Sequence, residues 1–329
     1  MGTSGIVTGQ LTFSMPYSDY LPRIPDPASK VTLTLTSQRT HSEISTEWYV
    51  DGRTIDGDKV NFVCYDRMAF ADSLKADFQF AAGTEYVLIS GLIALIAQKM
   101  SLSGVENLSA EGTGIKYPVT SIETRSCADI LNDLSQIMCC YFCVTNGNKL
   151  RAVGVGGSEL LGFSTSDNTE VRNVVPYTVN CCELTDSAGT KYTAGTSTSG
   201  TDTIQNSCGN ITGAALLDQA RSQLNRKYVS WNVEKAAVGT IVELGSSATL
   251  GGYSGTENLI VNNVTMRINS CGIFASMGAD ALSGGEIGKY MGLLTKLAES
   301  AVKSGDRLGK HMIVTRYQGI IWVDDDEGE

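Results

Sequence analysis

The chain opens in the two-residue period of a β-sheet. Val31, Leu33 and Leu35 alternate with Thr32, Thr34 and Thr36, which makes one face of the segment apolar and the other wet. Residues 44–65 continue in the same style, with Asp51-Gly52 and Asp56-Gly57 as turn dipeptides. Lys59–Tyr65 predicts a strand, and Asp66 is placed to cap a short helix over 67–75.

The period then lengthens. Leu88, Leu92, Leu95 and Ile96 recur at helical spacing and predict a helix over roughly 85–100. Ser126-Cys127-Ala128-Asp129 is a capping box, and Ile130, Leu131, Leu134, Ile137 and Met138 give the helix behind it one apolar side. Tyr141–Thr145, Asn146-Gly147 and Lys149–Val153 together form the strongest hairpin signal in the chain. The helices starting near Thr84 and Ser126 are weakly alike, but without the strict period of a solenoid.

From about residue 151 the β pattern returns. Asp186–Gly189 reads as a turn and Ala194–Asp202, rich in Thr, Ser and Gly, as an exposed loop. Thr212 is expected to cap a helix over 213–227 with Leu216, Leu217, Ala220 and Leu224 inward. Strands are expected around 230–236, 240–244, 259–268 and 272–276, then a helix near 286–302 and short strands at 312–314 and 319–323. The chain closes on an acidic tip, Asp324–Glu329.

Composition narrows the function classes. Apolar residues make up 42% and charged residues 18% of 329, the balance of a soluble globular protein. A net charge of −10 argues against gripping nucleic acid through its phosphates. The most apolar stretch, Tyr86–Ala97, is too short to span a bilayer. Met1–Ile6 carries neither a secretion nor a myristoylation pattern, so assembly in a cytoplasm is expected. The nine cysteines (Cys64, Cys127, Cys139, Cys140, Cys143, Cys181, Cys182, Cys208 and Cys271) read as buried small hydrophobes in a reduced compartment, with disulfides or metal as the alternative.

Reactive chemistry finds few footholds. Only His41 and His311 exist to serve a nucleophile, and neither lies near a nucleophile elbow; H-E-x-x-H is absent. Gly284–Tyr290 is a residue short of a P-loop and has Tyr290 where Ser or Thr must meet Mg²⁺. Gly154-Val155-Gly156-Gly157 is followed by Glu159 at the third glycine position of a dinucleotide fingerprint, so it reads as a turn. The acidic tip lacks the spacing of a calcium loop. Paired carboxylates for glycoside cleavage stay open among 35 acidic residues. Asn107, Asn210 and Asn263 head glycosylation patterns that matter only in a secreted protein. The residues therefore nominate no catalytic, cofactor or metal site.

Three stretches, taken in order, carry a resemblance. They are Trp48–Arg53 with Val60–Met68; Thr124–Leu134 with the hairpin ending at Leu150; and Ala214 through Leu244 to Ile268, with a Val242–Gly245 turn inside it. Together they resemble the baseplate or tail-tip hub proteins of phage tails and contractile injection systems, over most of 5–280 and in pattern more than identity. Residues 281–329 match nothing in that family, and there is no room for the peptidoglycan hydrolase that many members carry.

The resemblance implies an α+β, β-rich fold. Two barrel-like β domains (1–80, and 154–280 with an inserted helix) would flank a small helix-plus-hairpin domain (81–153), with a helix-strand extension at 281–329. It implies a non-enzymatic homotrimer in the tail of a virion or particle, adapting a six-fold tail tube to a three-fold spike or tip. The implied partners are its own copies, a tail tube or tube-initiator protein and a spike or tip protein, with the tape measure protein as a further candidate. No cofactor, specific nucleic-acid binding or membrane span is implied. A distal tail or tube-initiator ring, or a tail-associated cell-wall hydrolase, are the alternatives, and contractile, flexible and bacteriocin-like particles all remain open. Ile320, Ile321, Trp322 and Val323 form an apolar strand near the chain end and are expected at a partner contact, packing on the second barrel being the alternative.

Overall fold

The computed structural model describes residues 5–17, 29–36, 43–106, 112–154, 162–164, 171–198, 202–238, 240–250, 255, 258–269, 272–279, 312–315 and 319–322. The chain divides into two compact units, residues 1–282 and 283–329. The fold is α+β and β-rich, as expected, with three α-helices among the described residues.

The first unit begins with β1 (Gly5–Ile6), β2 (Gln10–Pro16), β3 (Lys30–Thr36), β4 (Glu43–Asp56) and β5 (Lys59–Tyr65). The last four form an antiparallel sheet in the order β2-β5-β4-β3. The alternation in β3 places Val31, Leu33 and Leu35 on the half-buried face and the threonines in solvent. On the wet face Ser14 donates to Asn61 at 2.6 Å, the Thr34 and Ser45 hydroxyls lie 3.0 Å apart, and Lys30 pairs with Glu47 at 2.7 Å. On the other face Val50, Val60, Phe62 and Cys64 form a core of their own, with Phe13 stacked on Phe62 at 4.9 Å.

The two turn dipeptides part company. After Asp56 the chain reverses through Gly57 and Asp58, and Gly57 takes φ +58, a conformation a side chain would resist. Asp51-Gly52 is no turn: β4 runs on through 14 residues, and the register slips between Val50 and Gly52 as a β-bulge. The expected helix over 67–75 is only a 3₁₀ turn, Arg67–Phe70, capped as predicted by the Asp66 side chain. It stops early because the carbonyls that would extend it serve another helix: those of Ala71 and Leu74 accept from the N–H groups of Ala128 and Cys127.

Next come β6 (Tyr86–Leu88), α1 (Ile89–Lys99), β7 (Val105–Glu106), β8 (Lys116–Pro118), α2 (Cys127–Met138), β9 (Cys140–Val144) and β10 (Leu150–Gly154). In α1 the buried stripe is Ile89, Leu92, Ile93, Ile96 and Ala97; Leu88, expected inward, is exposed in β6. Around Ser126 the capping box is complete, with both reciprocal hydrogen bonds at 3.1 Å. The hairpin also forms, with five residues (145–149) between its strands, and Asn148, not Gly147, takes positive φ. β9 and β10 are the middle of a four-stranded sheet, β1-β9-β10-β7, with α2 packed against β1 and β9.

The remainder of this unit holds β11 (Gly162–Ser164), β12 (Arg172–Thr178), β13 (Cys181–Asp186), β14 (Lys191–Gly195), β15 (Thr203–Cys208), α3 (Ala215–Ser222), β16 (Lys227–Val238), β17 (Ser247–Thr249), β18 (Leu259–Ile260), β19 (Asn263–Asn269) and β20 (Gly272–Ala279). β12-β16-β20-β19 make a second four-stranded antiparallel sheet; β14-β13-β15 and β11-β17-β18 make three-stranded ones. α3 is shorter than expected and begins at Ala214 without a side-chain cap, Thr212 being exposed. Residues 241–244 form no strand. Asp202, expected in an exposed loop, is buried, and its carboxylate accepts from Thr198, Asn180 and Ser197, bonds that hold it well below the usual carboxylate range. A large continuous core runs from α1 and α2 through β13–β15 to the second sheet, where Trp231 donates to the Ile260 carbonyl at 2.9 Å, and Tyr141, Cys143 and Val153 form a small separate cluster.

Among the described residues, the second unit is a hairpin of β21 (Met312–Thr315) and β22 (Gly319–Trp322), paired Met312 to Trp322 through Thr315 to Gly319. The expected helix near 286–302 lies outside the described residues.

Gly278 sits on the central strand β20, where an added Cβ would lie 2.2 Å from the Trp231 carbonyl oxygen. That oxygen belongs to the neighbouring strand and cannot yield alone. Gly278→Ala is expected to destabilise the protein by about 1–3 kcal/mol, read as a lowered midpoint in a denaturant melt.

Candidate functional site

A cleft of about 550 Å³ lies where the first sheet, the β9–β10 hairpin and the second sheet meet. One wall is the passage from β1 into β2 (residues 7–12) with Trp48 and Asp66; the other is β19 with residues 241–244, and Arg151 lies at its floor. β2 and β19 are each the outer strand of their sheet, so two strand edges border the same cleft.

Arg151 is buried to 1% of its side-chain surface, and its surroundings follow from that. A guanidinium out of water must be met by charge and by acceptors. Nη2 pairs with Glu243 at 2.6 Å and with Glu106 at 3.4 Å, while Nη1 donates to the Leu244 carbonyl at 3.0 Å. Glu243 also accepts the Asn146 N–H at 2.7 Å, so it ties the hairpin loop to the 241–245 segment. Nε has no partner.

Asp66 is the second fixed point. Its carboxylate accepts the Gly9 N–H at 2.7 Å and the Met68 N–H at 2.9 Å, and its own N–H returns to the Gly9 carbonyl at 3.1 Å. This reciprocal clasp holds the start of β2 against the end of β5. A Cβ at position 9 would stand 2.7 Å from the Asp66 oxygen, so a side chain there would push the carboxylate out of the clasp. Burial pushes the Asp66 carboxyl up to about 7, against the two N–H bonds that favour its charge. With both oxygens engaged by backbone, the group is a clasp rather than a free acid or base.

The sequence-nominated residues fall elsewhere. Ile320, Ile321 and Trp322 lie in β22, whose second edge has no partner among the described residues; Val323 lies outside them. So do His41, His311, Cys271, Asn107, residues 155–157, the 284–290 stretch and the acidic tip. The other eight cysteines are buried free thiols. Asn210 of one glycosylation pattern is hydrogen-bonded to the Asp133 carboxylate. Among the described residues no three His, Cys, Asp or Glu side chains converge as a metal site, and no helix is long and apolar enough to cross a membrane. The sequence marked Asp66 as a cap, but Arg151 and Glu243, 92 residues apart, gave no local signal.

No family model and no curated protein matches the chain. Solved structures do align with it. The 43 kDa tail protein of prophage MuSo2 from Shewanella oneidensis is 12% identical, with 85% of this chain and 91% of that one covered at a TM-score of 0.46. The prophage tail protein gp18 from Listeria monocytogenes is 9% identical, with 88% and 93% covered at 0.41. A type VI secretion component from E. coli is 9% identical, with 84% and 71% covered at 0.43.

Two outcomes test the cleft. Glu243→Ala leaves a buried guanidinium short of its nearest countercharge and is expected to cost about 3–5 kcal/mol in a denaturant melt. For Asp66 the folded pKa stands above the unfolded one, so the native state holds the extra proton and stability falls as pH rises. The loss runs from the unfolded value near 4 up to about 7 and amounts to roughly 4 kcal/mol. Denaturant midpoints between pH 5 and 8, where most other carboxylates are already charged, should decline, and Asp66→Asn should flatten the decline.

Proposed function

We propose that this chain is a structural part of a phage-type tail or contractile injection particle, and that it serves as the hub. The observation that carries this reading is the pair of four-stranded antiparallel sheets in a single chain, β2-β5-β4-β3 and β12-β16-β20-β19, each ending in outer strands. Outer strands offer unpaired N–H and C=O groups to another chain. A trimer of such chains presents six sheets, the number a six-fold tube needs from a three-fold base. Residues 1–80 and 154–280 would supply the docking domains, with 81–153 holding them apart.

The order of the sequence stretches that resemble hub proteins supports the same reading. So does the wet face of the first sheet, where Thr, Ser and Asn pair across strands beside the Lys30–Glu47 ion pair. Such a hub sits at the tail tip or baseplate and acts through contacts rather than reactive groups. Its partners are its own copies, a tube or tube-initiator protein, a spike or tip protein and the tape measure protein. Ile320, Ile321, Trp322 and Val323 would meet one of these partners, because β22 is paired along one edge only among the described residues.

Light scattering on the purified protein should return a trimer, three times 35.0 kDa. A hexamer would replace the hub with a tube-initiator ring, and a monomer that cleaves cell-wall material would replace it with a hydrolase. Removing residues 318–329 should abolish assembly with tail partners while leaving the melt of the first unit unchanged; unaltered assembly would remove the C-terminal contact.

A further inference from the structure

The loop between β9 and β10 holds the one Asn-Gly pair in the chain, Asn146-Gly147. Its backbone closes around that pair rather than through it. Thr145 accepts the Asn148 N–H at 2.9 Å and donates its own N–H to the Lys149 carbonyl at 2.9 Å, and its hydroxyl accepts the Lys149 N–H at 3.2 Å. Gly147 is exposed, and its carbonyl accepts from the Ser103 hydroxyl at 2.9 Å, while its N–H donates to no group among the described residues. The Asn146 N–H goes to Glu243, but its side-chain amide makes no hydrogen bond among the described residues. A backbone nitrogen without an acceptor therefore follows directly on a carboxamide without a partner, and glycine puts no Cβ in the way. Asn206, which precedes Ser207, is the contrast: its amide is tied to the Gln136 carbonyl at 3.0 Å and to the Cys139 sulfur at 3.6 Å.

We propose that Asn146 is a self-modification site, at which the folded chain converts the asparagine to aspartate and isoaspartate through a succinimide. The Gly147 nitrogen attacks Asn146 Cγ and a C–N bond forms. The Cγ–Nδ2 bond breaks, and Nδ2 leaves as ammonia with the proton from the Gly147 nitrogen. Water then opens the ring. Opening at Cγ gives aspartate; opening at the Asn146 backbone carbonyl carbon gives isoaspartate, whose main chain runs through Cγ and is one carbon longer. The sum is asparagine plus water to aspartate or isoaspartate plus ammonia, with nothing oxidised or reduced. The place matters because Asn146 lines the cleft and its N–H is the link from the hairpin loop to Glu243. Arg151 there already faces Glu243 at 2.6 Å and Glu106 at 3.4 Å, so the new carboxylate joins two that share one guanidinium. The longer isoaspartate backbone also pulls the loop out of the closure made by Thr145 and Asn148. Conversion therefore loosens the 241–245 segment from the hairpin. None of this rests on the tail reading.

The test is prolonged incubation of the full folded chain in warm, mildly alkaline buffer well below its melt, with a urea-unfolded sample beside it, followed by peptide mapping by mass. The peptide holding Asn146 should gain the mass difference between NH₂ and OH before any other asparagine peptide does. It should split into two chromatographic forms, one of which accepts a methyl group from an isoaspartate methyltransferase. Gly147→Ala should slow the gain on the order of tenfold, and Asn146→Gln should abolish it at that position. The converted chain should melt several degrees lower than fresh protein, and Asn146→Asp, which adds the charge without lengthening the backbone, should fall between them. An Asn146 still intact in the folded chain when the unfolded sample has converted, or another asparagine converting first, overturns the site. A converted chain that melts with the fresh one overturns its consequence for the cleft. Mapping on the unmutated chain decides the first point even if a variant fails to fold.

Discussion

Burying Arg151 beneath the cleft costs several kcal/mol unless its charge is met, and the surrounding elements are arranged to meet it. Glu106 comes from β7, Glu243 from the segment after β16, and the Leu244 carbonyl from the same segment. None of these could move without leaving a charge unpaired in the interior. The 241–245 segment has no strand ladder; it is held by this side chain, by the Asn146 N–H donated to Glu243 and by the Gly245 N–H donated to the Val261 carbonyl at 2.7 Å. The middle sheet is thereby fixed to the wall of β19, and the cleft keeps its width.

The first sheet is held together differently. Its core of Val50, Val60, Phe62 and Cys64 is separate from the continuous core of the rest of the unit. What holds the start of β2 to the end of β5 is the Gly9–Asp66 clasp, a pair of short hydrogen bonds around a titratable carboxyl. An apolar interface would be indifferent to pH; this one is not. The first sheet therefore has its own small core and a polar clasp at the β2–β5 end, while the second sheet shares the large core outright.

Much of this was legible locally. The alternation in β3, the capping box of α2 and the β9–β10 hairpin each depend on residues within a few positions of one another, and each formed where the sequence placed it. Errors arose where a distant group overrode a local preference. Residues 71–75 stopped short of a helix because their carbonyls serve α2, and Asp202 left its loop for a buried cluster of donors. Asp51-Gly52 has the composition of a turn but was used as a bulge, since pairing with β5 continues on both sides of it. The cleft was least legible, because Arg151 finds Glu243 only after the chain has passed through strands of three other sheets.

That bulge has a consequence for how the chain can change in length. Strand side chains alternate faces, so one extra residue exchanges the roles of odd and even positions beyond it. Before the slip, Val50 stands opposite Cys64; after it, Ile55 stands opposite Val60. Loss of Asp51 would remove the bulge and leave Val50 opposite Cys64 and Gly52 opposite Val63 as consecutive pairs, so the far end of β4 keeps its faces and the strand loses its bend. Paired insertions or deletions at the Gly57-Asp58 tip preserve the parity and only lengthen or shorten the hairpin. Related chains can therefore vary in the reach of this hairpin by even steps, and can keep or lose the bulged residue without changing which faces pair.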